Sequence, residues 1–142
     1  MRRYLVVANQ TLGGPALAEK IRGCMAEGPC SFHIVVPATR PIEPLVWTEG
    51  QAHDLAEERL ERALTWFQRT GADVTGEVGD ARPMLAIGDA LLAGEFDEII
   101  VSTLPPGVSR WIRQDLPARA RRRFAIPVSH VFGDRAKVRQ TG

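Results

Sequence analysis

Five short apolar runs are spaced along this chain, and the stretches between the first four carry helical periodicity. That alternation constrains the fold more than any other feature. "RRYLVVAN" stops at the polar Asn9 and reads as a strand buried on both faces, and "SFHIVVPA" and "FDEIIVSTL" read as further strands. "DVTGEVG" is weaker and fits a sheet edge, and "AIPVSHVF" supplies a fifth strand. Leu17, Ile21, Cys24 and Met25 recur at helical spacing, with Pro15 suited to the first turn and Gly28 stopping the run. Ala56, Leu60, Ala63, Leu64 and Phe67 form one face of a second helix, which starts near Gln51 and ends at Gly71. "DARPMLAIGDALLAGE" is a third, with Asp80 placed to cap it and Pro83 in its first turn. Strands that alternate with helices run parallel and are joined by right-handed crossovers. The expected fold is a three-layer α/β sandwich with a five-stranded, mainly parallel sheet. It occupies residues 1–132, followed by a loose tail over 133–142.

The 142 residues suffice for one domain with a proper core. No run approaches the ~20 apolar residues that span a bilayer, and the first apolar run is too short for a secretion signal. A cytoplasmic protein with no membrane contact is expected. Cys24 and Cys30 have neither redox nor zinc spacing and read as free thiols. His33, His53 and His130 lie far apart, which argues against a metal site, and His33 reads as a satisfied core histidine. No nucleophile–base pair is visible, and "GVSRW" lacks the second glycine of a nucleophile elbow, so no enzymatic activity is expected. Charge is uneven: residues 1–100 carry nine basic and fifteen acidic side chains, and residues 101–142 carry nine and two. The basic "RARRRF" raises nucleic-acid binding, but arginines on a terminal helix are usually a solvated face and the acidic remainder opposes DNA.

In open parallel sheets ligands lie beyond the carboxyl ends of the strands, where strand order reverses. The loops after the first and fourth strands, "NQTLGG" and "STLPPGVSRWIRQDLPARARRR", are therefore the candidates. The proline-rich "TRPIEPLVWTEG" is long enough to sit over a site, or to carry Trp47 into the core.

The order of elements, "VGDARPMLAIGDAL" before "DEIIVST", and a closing "IPVSHV" together resemble the universal stress protein family. The resemblance covers nearly the whole chain. It implies strand order 3-2-1-4-5, pairing through the last strand into a homodimer, a regulatory role and, in many members, ATP binding. The ATP-binding members carry G-x2-G-x9-G-[ST] after the fourth strand, and those positions fall here on Ser102, Pro105, Asp115 and Leu116. None matches. Pro105 and Pro106 have no N–H to offer a phosphate, and Asp115 stands where its carboxylate would satisfy the helix start instead. The aspartate that commonly contacts nucleotide after the first strand is replaced by Asn9.

Crevice candidates are Asn9, Thr11, Gly13, Val35, Ser102, Thr103, Gly107, Ser109, Arg110, Trp111 and Arg113. The leading expectation is a small-ligand-binding or regulatory protein with no tight cofactor, any ATP or AMP binding being weak. The alternative is a nucleotide binder in which Arg110 and Arg113 supply charge, Ser102, Thr103 and Ser109 hydroxyls, and Trp111 an aromatic face. The competing role for Trp111 is a core or interface anchor.

Overall fold

The computed structural model describes residues 1–39, 48–105, 111 and 115–133. Strands β1 (Arg2–Val7), β2 (Cys30–Pro37), β3 (Val74–Gly79), β4 (Glu98–Thr103) and β5 (Val128–Phe132) form one sheet. Its order is β3-β2-β1-β4-β5, and every pairing is parallel. Helices α1 (Pro15–Glu27), α2 (Glu49–Arg69), α3 (Pro83–Ala93) and α4 (Leu116–Arg123) connect them. The expected three-layer α/β architecture is present, with all strands rather than most of them parallel.

Two cores lie on the two faces of the sheet. On one, Leu17, Ile21 and Cys24 of α1 and Ala56, Leu60 and Phe67 of α2 pack on Val6, Phe32, Ile34 and Ile100. On the other, Ile87 and Ala90 of α3 and Leu116 and Ala120 of α4 pack on Leu5, Val7, Ile99 and Val101. The central strands β1 and β4 are covered on both faces, which is why their sequences are continuously apolar. β3 needs glycine for close packing. A Cβ at Gly79 would lie 2.9 Å from Ala86 Cβ, and one at Gly76 would lie 3.0 Å from the Ile34 carbonyl oxygen.

Helix starts differ from the sequence expectation in two places. α2 begins at Glu49, two residues before Gln51, because Thr48 and Gln51 form a reciprocal capping box. Asp80 does not cap α3. Its carboxylate accepts from the Arg82 backbone N–H at 2.8 Å and from Arg82 Nε at 3.1 Å, so it organises the turn before the helix while Arg82 occupies the N-cap. Arg82 holds the Asp80 carboxyl below its ordinary range. Among the described residues no helix is long and apolar enough to cross a membrane. The segment 40–47, with Trp47, lies outside the described residues, as does the expected tail from 134 onward. Gly133, expected as the first residue of that tail, is instead buried and donates its N–H to the Thr103 carbonyl at 2.9 Å.

Candidate functional site

β1 and β4 are neighbours although five elements separate them in sequence, and the strand order reverses between them. At their carboxyl ends lie Asn9, Thr11, Ser102 and Thr103, only 7, 2, 1 and 2 % exposed. Polar groups this deeply buried need partners, and each has one. Thr11 Oγ1 and Ser102 Oγ are 2.6 Å apart, so one hydroxyl pair ties the loop after β1 to the end of β4. Thr103 Oγ1 lies 2.8 Å from His130 Nε2 on β5. Asn9 Nδ2 donates to the Pro37 carbonyl at 2.8 Å, while its Oδ1 accepts from Arg59 Nη1 of α2 at 2.5 Å. The Asn9 amide therefore joins the ends of β1 and β2 to α2.

The loop itself is folded by backbone bonds from Leu12 N–H to the Asn9 carbonyl at 3.3 Å and from Gly14 N–H to the Thr11 carbonyl at 3.1 Å. Gly14 then caps α1 without a side-chain acceptor, and Pro15 follows in the first turn. The charge brought to the Asn9 amide is the Arg59 guanidinium. Burial first, and the Arg121 cation second, push His130 below the ordinary imidazole value, which favours its neutral form beside Thr103.

The structure thus brings four expected residues together, and Gly13 sits exposed on the same loop. Val35 does not join them. It is 1 % exposed in the core beneath α3, because in a strand covered on both faces the apolar run hides which side chains point where. Trp111 is 8 % exposed within the same core cluster, the position of an anchor rather than of an open stacking face. Gly107, Ser109, Arg110 and Arg113 lie outside the described residues. Sequence reasoning missed Arg59, His130 and the Pro37 carbonyl. Arg59 follows Ala56 by three and precedes Leu60, so its place beside the apolar stripe of α2 was a usable signal. His33, expected in the core, is only partly buried at the sheet surface; its ring nitrogens lie 2.7 Å from Thr75 Oγ1 and 2.9 Å from Glu77 Oε2.

Asp115 departs from expectation in an informative way. It occupies the N-cap of α4, but its side chain makes no capping hydrogen bond. Its backbone is left-handed at φ 58° and ψ 40°, the one non-glycine residue with positive φ among those described. That conformation costs an ordinary L-residue roughly 1–2 kcal/mol and a glycine nothing. The carboxylate points to solvent, 3.9 Å from Arg122 Nη2. Elsewhere, one group of ligand-type side chains comes together among the described residues: His53, Asp54 and Glu57, all exposed on α2.

No protein-family model matches the chain, and no curated protein matches it. Among solved structures it is similar to a universal stress protein in complex with cAMP. That likeness covers 92 % of this chain and 96 % of the other, with a TM-score of 0.61 and 16 % sequence identity. The all-parallel 3-2-1-4-5 sheet is therefore a universal-stress-type fold, as the order of elements in the sequence implied.

Proposed function

We propose that this chain is a cytoplasmic regulatory protein of the universal stress type that binds a small ligand, lacks tight ATP binding and is not an enzyme. The carrying observation is the crevice at the end of β1 and β4, where each buried hydroxyl and amide group already has a hydrogen-bond partner within the protein. Binding there exchanges partners rather than filling vacant donors, which limits the gain from each new hydrogen bond. Pro105 offers no N–H where the resemblance implies a phosphate-facing glycine, and Asp115 places a carboxylate at another such position. Trp111, packed in the core, is poorly placed to stack on a base, which weighs against the arginine- and serine-based nucleotide site. The solved neighbour binds cAMP, a nucleotide with a single phosphate. A crevice without a triphosphate cradle suits a ligand of that size, such as AMP, bound weakly.

Isothermal calorimetry with ATP and magnesium tests this. A dissociation constant in the high micromolar range or weaker is expected; low-micromolar, magnesium-dependent binding would establish the alternative. Homodimerisation through β5 belongs to the same proposal. β5 is an edge strand whose Phe132 is 51 % exposed, and its outer backbone groups need cover. Light scattering at high micromolar concentration should give twice the 15.6 kDa chain mass. A monomer mass would end the pairing idea.

A further inference from the structure

The end of the sheet opposite the crevice carries a second site. α1 runs back against the strands, so its last turn arrives where β1 and β2 begin. Cys24 is buried on the inner face of α1, three residues after Ile21. Cys30 opens β2 and packs against the same core cluster, on the face that Phe32 and Ile34 continue. Only Met25–Pro29 separates the two cysteines in sequence, and Gly28 turns the chain there at φ 148°, a value L side chains rarely adopt. Both thiols are free, and both line one pocket of about 240 Å³ together with Met1, Arg2, Tyr4 and Glu27.

We propose that this pocket is a binding site for a thiophilic monovalent d10 cation, with Cu(I) as the representative ion, held by the sulfurs of Cys24 and Cys30. Soft thiolates select such ions, and two thiolates can complete the shell of an ion that accepts linear coordination. Zinc in a protein seeks four ligands, and this pocket is lined by no imidazole. The binding step is not a redox step. Each thiol releases one proton to water, two sulfur–metal bonds form, and the bis-thiolate complex carries a net charge of −1. Arg2 is the cation that lines the pocket beside Glu27, with its Nε donating to the Tyr4 hydroxyl at 3.1 Å and its Nη2 to Glu98 Oε1 at 3.3 Å. Tyr4 and Cys24 line the pocket together.

The test is anaerobic titration of the reduced full chain with Cu(I) in competition with a chromophoric chelator. One ion per chain should be taken up. Loss of a partner to a ligand already costs about 10–100-fold in metal affinity, so Cys24→Ser and Cys30→Ser should each weaken binding by more than about 100-fold. If Cys24→Ser fails to fold, alkylation of the unmodified chain decides. Bound Cu(I) should protect both cysteines from iodoacetamide together, as read by peptide mass spectrometry. Protection of Cys30 alone, equal competition by Zn(II), or failure to draw Cu(I) from the chelator would each overturn the assignment.

Discussion

At the carboxyl ends of β1 and β4 the side chains of Asn9, Thr11, Ser102 and Thr103 are uncharged, buried and each hydrogen-bonded within the protein. At the amino end charged side chains reach the surface. Glu98 there receives Arg2 Nη2 at 3.3 Å and Lys20 Nζ at 3.8 Å, with the Ser129 hydroxyl also bonded to it, and Asp97 accepts the Arg3 backbone N–H at 2.8 Å. The Arg2 side chain is 53 % exposed, against 2 % or less for Thr11 and Ser102. Removing one member of a buried pair leaves its partner without water or protein to bond, whereas Glu98 without Arg2 keeps Lys20 and Ser129. The crevice end is the more sensitive one, although it carries less charge.

Thr11→Val should give the largest effect. It strands the Ser102 hydroxyl, for a loss of about 1–3 kcal/mol in urea unfolding, and adding Ser102→Ala should recover part of it. A loss below about 0.5 kcal/mol would show that Ser102 finds another partner, and the contrast between the two ends would fail.

His130 sharpens the comparison through pH. Its folded-state pKa lies below the ordinary 6.5, so the unfolded chain binds the proton more readily. The stabilisation is complete above the unfolded value and is lost as pH falls through the folded one. The urea midpoint should drop between about pH 7.5 and about pH 5.5, and drop less in His130→Gln. Equal drops in both proteins would remove His130 from the account.

Asp115→Gly comes next. Relief of the left-handed backbone, roughly 1–2 kcal/mol, is offset by about 0.5–1 kcal/mol of added glycine entropy, leaving a small gain in stability. A measurable loss would mean that the Asp115 carboxylate has a partner worth more than the strain. Arg2→Gln should change least. Any shift in its midpoint should vanish at high salt, and a salt-independent loss would contradict the view of the amino end as hydrated.

The strands β1, β2 and β4 were legible because a parallel sheet covered on both faces demands continuous apolar runs. The switch point followed from topology, and with it Asn9, Thr11, Ser102 and Thr103. What was not legible was direction. Val35 sits in a run with no alternation, so nothing in "HIVVP" tells which face it serves. Asp80 and Asp115 both stand where an N-cap is expected, but one bonds the wrong side of the helix boundary and the other bonds no cap N–H at all. Cap chemistry depends on where the turn before the helix places the carboxylate, which residue type alone does not fix. Arg59 was missed because the reach of a long side chain from α2 to Asn9 is set by packing rather than by periodicity.

The backbone at Asp115 also changes what it means for a glycine pattern to be absent. As a string of letters the pattern is broken at this position. The backbone there nonetheless takes the left-handed bend that glycine adopts most readily, and aspartate is among the few residues that tolerate it. Absence of a glycine and absence of the conformation that glycine favours are separate matters, and at residue 115 only the first holds.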